Sequence, residues 1–183
     1  SHPLWTNEFG TDDILAMELK FDRNSNKKYY FVFTYGPSAD PAFYFYDIEA
    51  DKYLNAAPGT EIYVPGNGYV YSTGHSNSMF NIRRKWKFNG SEFEEVKPDL
   101  YYVGLKTKTL QPLTLYSDQE LTTQFANLPA NYDIEVLVAE RPDKFTTTWK
   151  YLIKTSFGLV GWTYAKGGQV RPIDIEGIYF NGD

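Results

Sequence analysis

The chain has 183 residues, with 18 Lys and Arg against 23 Asp and Glu, a formal net charge of −5. Without cysteine it has no disulfide scaffold, thiolate metal site or cysteine nucleophile, and two histidines, His2 and His75, cannot build a multi-histidine centre. The acidic balance argues against nucleic acid as a partner, and no apolar run approaches the ~20 residues that span a bilayer.

Aromatic residues make up 18% of the chain, which favours half-buried pleated surfaces and hence strands. Leu15, Met17, Leu19 and Phe21 alternate with Glu18 and Lys20, which predicts a first strand over 14–21. Asp22 to Asn26 reads as a turn, and Tyr29 to Thr34 and Ala42 to Tyr46 as aromatic strands separated by the loop from Gly36 to Pro41. Phe43 and Phe45 point one way and Tyr44 and Tyr46 the other, a sorting that suits one apolar and one partly wet face. Asp51 to Gly59 reads as a polar connection. Pro65-Gly66-Asn67-Gly68 predicts a hairpin between Glu61–Val64 and Tyr69–Ser72.

Phe80 to Phe88 alternates most clearly, with Phe80, Ile82, Trp86 and Phe88 on one side and Asn81, Arg83, Lys85 and Lys87 on the other. Asn89-Gly90 then turns into Glu92–Val96. The domain boundary is placed near residue 108, giving parts 1–108 and 109–183. Leu113–Tyr116 is the next strand, and Ser117 to Glu120 has capping-box spacing, which predicts a short helical turn. Ile134–Glu140, Trp149–Thr155, Leu159–Tyr164 and Ile175–Phe180 complete the strands. No 3.6-residue pattern lasts three turns, so the fold class is all-β, with an antiparallel meander or partly closed barrel in the first part.

Residues 113 to about 166 resemble the bacterial SH3-like (SH3b) domain. The likeness lies in Ile134-Glu135-Val136-Leu137-Val138, the Trp-led strand Trp149–Thr155, the Ser156-Phe157-Gly158 hairpin and the Gly161-Trp162-Thr163-Tyr164 run. Leu113-Thr114-Leu115-Tyr116 stands where that family has an Arg-containing opening strand, so ligand residues on that side do not carry over. The resemblance implies a small five-stranded barrel with a non-catalytic role, contacting cell-wall peptide, glycan or a partner domain. It places Trp149, Trp162 and Tyr164 nearest the groove, and Trp162 also reads as barrel core. Residues 10–97 look faintly like β-propeller blades, but supply at most two, too few for a closed ring.

Asp22, Asn24 and Asn26 have the alternate spacing of a calcium loop, yet Lys27 replaces the glycine such a loop needs and no terminal glutamate follows, so a hairpin turn is preferred. Arg83, Arg84, Lys85 and Lys87 suit an acidic ligand, or a solvated strand face balanced by Glu92, Glu94 and Glu95. Arg84 breaks the alternation: it lies at an edge or meets a buried carboxylate. Ser72, His75, Ser76 and Ser78 assemble no oxyanion hole by sequence and read as a loop. Tyr44 and Tyr46 form either a platform for a sugar or peptide, or a face covered by a second layer.

These readings predict a non-catalytic binding module without a cofactor, holding a cell-wall peptide, glycan or protein through Trp149, Trp162, Tyr164, Tyr44 and Tyr46. The rival is a hydrolase of polysaccharide or peptidoglycan. The start at Ser1-His2-Pro3 rather than Met reads as a mature or trimmed chain, and with the Tyr/Trp/Asn-rich, cysteine-free composition it predicts export from a bacterium, with the cytoplasm as the alternative.

Overall fold

The structure is a computed structural model that describes residues 15–35, 41–54, 57–90 and 92–182. Ile14 and the loop at Gly36 to Asp40 lie outside the described residues. Among the described residues all regular structure is strand, and every paired strand is antiparallel.

The chain divides into two compact units, Ser1–Ser76 with Arg83–Lys97, and Asn77–Ile82 with Pro98–Asp183. The longer stretch of the second unit therefore begins at Pro98 instead of near residue 108. Residues 101–108 form one unbroken strand that pairs within that unit, which leaves no break at 108. The short segment 77–82 belongs there as well, because Met79, Phe80 and Ile82 are buried in that unit's core.

In the first unit β1 (Leu15–Leu19), β2 (Tyr29–Tyr35), β3 (Pro41–Asp47), β4 (Lys52–Tyr53) and β5 (Ala57–Pro58) form one sheet, in which β4 and β5 both pair with β3. The supposed connection at 51–59 thus extends the sheet. Register sets Phe31 opposite Phe45 and Phe33 opposite Phe43, with Tyr30 opposite Tyr46 on the other face. A second sheet runs β6 (Glu61–Tyr63), β7 (Tyr69–Gly74), β8 (Ile82–Phe88) and β9 (Phe93–Glu95). Phe21, Phe31, Phe43, Phe45, Val70, Trp86 and Phe93 come from both sheets into one aromatic core. Phe45 is fully buried, with ring centroids 4.8 Å from Phe93, 4.9 Å from Phe21 and 5.6 Å from Phe31.

Two turns of this unit clasp each other. Asp22 accepts the amide of Asn24 at 2.9 Å, closing an Asx turn, while the Arg23 amide donates to the Gly66 carbonyl at 2.9 Å and the Gly68 amide to that of Phe21 at 2.8 Å. Gly66 and Gly68 sit at φ 77° and 82°, where only glycine is unstrained. Arg84 is buried with its Nε 3.8 Å from the carboxylate of Glu95, which is partly buried. Lys87 faces Glu94 in register and Lys85 lies 4.0 Å over the Tyr69 ring, so part of the basic cluster is engaged locally.

The second unit contains β10 (Tyr101–Lys108), β11 (Leu113–Tyr116), β12 (Gln124–Leu128), β13 (Asp133–Glu140), β14 (Thr148–Thr155) and β15 (Val160–Lys166), in the order β10-β13-β14-β15-β11-β12. Two expectations fail here. Residues 117–120 form a turn and no helix: the Asp118 carboxylate, not Ser117, accepts the amides of Thr122 at 2.9 Å and Thr123 at 2.8 Å and feeds the chain into β12. Residues 175–180 are no strand either. Gly177, at φ 78°, turns the chain between Ile175 and Ile178, and that turn sends both isoleucines into the core.

Candidate functional site

The sheet of the second unit is two-sided, and register shows which residue lies where. Tyr101, Ala139, Tyr151 and Thr163 are cross-strand partners on β10, β13, β14 and β15, and all are buried on the inner face. One residue along, Tyr102, Val138, Leu152, Trp162 and Tyr116 are partners in turn and form an apolar row across five strands on the opposite, outer face. Tyr102 is 55% exposed, and Val138, Leu152 and Tyr116 are half-buried. Flanking rows are polar and aromatic. Glu140, Lys150 and Tyr164 stand on one side, and Lys106, Glu135, Lys154 and Val160 on the other. Tyr164 is 53% exposed and Val160 47%.

The three expected groove residues separate on this frame. Trp149 faces inward, buried in the core with its ring 5.7 Å from Phe80 in a T-shaped contact, and its indole N–H donates to the Thr146 carbonyl at 2.9 Å. Trp162 and Tyr164 share the outer face, two residues apart on β15. Trp162 is only 9% exposed there, so the structure answers neither reading of it simply: it is buried, but outside the main core cluster. Trp149 is unavailable to a ligand, whereas the Tyr164 ring is open.

Tyr44 and Tyr46 lie in the first unit, on the face opposite its phenylalanines. Tyr44 is half-buried and Tyr46 buried. Tyr46 stacks on Tyr30 at 6.4 Å and meets Tyr53 edge-on at 5.3 Å. Its hydroxyl bonds the Asp51 carboxylate, and that bond, with burial, pushes the phenol pKa up to about 12. Tyr46 is therefore a structural member of an aromatic ladder, not a free platform. Of the candidate calcium loop, Asp22 is already used by the Asn24 amide. Among the described residues no three His, Asp or Glu side chains gather to hold a metal ion. The hydroxyl of Ser72 is occupied too, accepting the Trp86 indole N–H at 2.9 Å.

A clasp closes one flank of the outer face. Gln119, in the turn between β11 and β12, donates to Glu140 at 2.7 Å, and Lys150 donates to the same carboxylate at 2.9 and 3.1 Å. The Gln119 amide holds the Glu140 carboxyl below the usual carboxylate range, helped by Lys150 and opposed by partial burial. A depressed folded-state pKa means that the clasp contributes fully above the ordinary carboxylate pKa and loses its contribution as pH falls through the folded value. Glu140→Gln should therefore cost about 0.5–1 kcal/mol at neutral pH and clearly less at an acid pH, where the wild-type carboxyl becomes protonated. Urea unfolding at both pH values measures this, and an equal difference at both would refute the clasp.

Sequence reasoning missed Tyr102, Val138, Leu152 and Tyr116 as companions of Trp162. Their alignment depends on bulges between Tyr102 and Leu105 and between Val136 and Val138, which shift the pairing by amounts no single strand displays. Only Gly104, at φ 65° with the Tyr102 ring folded against it, marks the first bulge. The exposure of Phe157 in the expected Ser156-Phe157-Gly158 turn of the β14–β15 hairpin went unremarked as well. Gly158, at φ 103°, closes a tight turn that leaves Phe157 83% exposed. No family model, curated protein or solved structure matches this chain.

Proposed function

We propose that the chain is a non-catalytic binding module whose second unit holds a cell-wall peptide or glycan on the outer face of its sheet. The observation that carries this reading is the apolar row from Tyr102 to Tyr116, bordered by the open ring of Tyr164 and by charged residues of both signs. Rigid aromatic rings lose little entropy on binding, and flanking Lys and Glu side chains orient a polar strand laid across them. Among the described residues thirteen large apolar side chains are exposed and nine of them belong to the second unit, which supports a contact area there. The likeness of residues 113–166 to SH3-like domains supports the same role, and the composition supports export.

A glycosidase acid needs a raised pKa, and three carboxyls do not suit that role: Asp47, against the opposing effect of burial, and Asp118 and Glu140 are held below the usual carboxylate range by their hydrogen-bond donors. On an array of cell-wall peptides and glycans the wild-type chain should bind a defined subset, and Tyr164→Ala should weaken that binding at least tenfold with an unchanged melting temperature. A chain that binds nothing on the array, or a variant that binds as well as wild type, overturns the proposal.

A further inference from the structure

At one end of β10, β13 and β14 lies a groove of about 520 Å³, within the size range of small-ligand pockets. Six charged side chains line it: Lys106, Lys108 and Lys154 against Asp133, Glu135 and Glu176. Register orders five of them. Lys106, Glu135 and Lys154 are direct partners across three strands, and Lys108 stands opposite Asp133. Adjacent strands are about 5 Å apart, so charge alternates in sign at that interval across the groove.

The six charges are balanced but not consumed. Among the described residues none of them forms an ion pair or a side-chain hydrogen bond. The same two strands provide the contrast. Glu140 and Lys150 are also direct partners of β13 and β14, and they close to 2.9 Å, whereas Glu135 and Lys154 in equivalent register stay open. Ser156 adds a polar side chain to the wall, and its amide donates to the Asp133 carbonyl at 3.3 Å, which ties the hairpin to the groove floor.

We infer that this groove is a binding site for a small zwitterion, a molecule such as a dipeptide that presents an ammonium and a carboxylate about one strand spacing apart. Glu135 receives the ammonium, and either Lys106 or Lys154, one strand to each side of it, receives the carboxylate. A simple anion gains the lysines but meets Glu135 and Asp133, and a simple cation meets the reverse, so the balanced row selects for both signs in one ligand. The charged row lies on the same outer face as Tyr164, on the far side of the Trp162 row, and its contacts with the zwitterion do not include the Tyr164 ring.

The test is a resonance titration of the isotope-labelled full chain with the dipeptide lysyl-glutamate, and separately with inorganic phosphate and calcium. The dipeptide should shift the amides of Lys106, Glu135 and Lys154, more weakly as salt is raised. Glu135→Gln and Lys154→Gln should each weaken its binding at least tenfold without moving the melting temperature, while Tyr164→Ala leaves it unchanged. Absence of shifts with the dipeptide overturns the inference. So does phosphate shifting the same amides as strongly, with Glu135→Gln binding it more tightly, since that describes an anion site only.

Discussion

Phe45→Ala is expected to lower the stability of the first unit by about 3–5 kcal/mol, the range for deleting a fully buried phenyl ring. Phe45 lies on β3, the strand that pairs with β2, β4 and β5, and its neighbours cannot move in without breaking that pairing. Its ring contacts Phe21, Phe31 and Phe93, which come from the turn region, β2 and β9, so the cavity would open between both sheets of the unit. Phe33→Ala, on the same face of the sheet but on β2 and half-buried, should cost clearly less. Urea unfolding of the two variants measures the difference. A loss below about 1 kcal/mol for Phe45→Ala would show that the aromatic core is looser than this packing requires.

Trp149→Ala should cost about 3–5 kcal/mol in the second unit. It removes a buried indole, its T-shaped contact with Phe80 and the hydrogen bond to the Thr146 carbonyl. Phe80 reaches this core from the segment Asn77–Ile82, far from β14 in the chain. A double-mutant cycle of Phe80→Ala with Trp149→Ala should therefore give a coupling of about 0.5–1.5 kcal/mol, as for other aromatic pairs. Strict additivity would mean that residues 77–82 do not pack into this unit.

Much of the fold was legible because strand sidedness is written locally. The alternation of Ile82 and Trp86 with Arg83, Lys85 and Lys87 appears directly in β8, where the two apolar residues are buried, Arg83 and Lys87 exposed and Lys85 half-buried. Leu113–Tyr116 and the hairpin at Gly66 and Gly68 were equally clear from pattern and turn chemistry. What failed depended on tertiary context. Ile175–Phe180 has the residues of a strand, but Gly177 bends the chain and packing takes both isoleucines inward. Asp118 outcompeted Ser117 for the free amides of the next turn, since a carboxylate can hold two at once.

The candidate site was less legible than the fold. Tyr164 could be found from its place in the Gly161–Tyr164 run. Trp149 could not be separated from it without register, because its inward direction is fixed by partners on β13 and β15. The unpaired charges of Glu135 and Lys154 were invisible in sequence, where they look no different from the paired Glu140 and Lys150. The division of the chain was hidden for a similar reason: within the clearest strand pattern Phe80 and Ile82 feed one core while Trp86 and Phe88 pack into the other.

One comparison tests the separation of a fold-bearing inner face from a ligand-bearing outer face most directly. Wild type, Tyr164→Ala and Trp149→Ala are each measured for melting temperature and for binding to the array ligand that wild type holds best. The expected result is opposite loss: Tyr164→Ala melts with wild type and binds at least tenfold more weakly, while Trp149→Ala melts well below it. If Tyr164→Ala unfolds as early as Trp149→Ala, or keeps full binding, the two faces do not divide the work in this way.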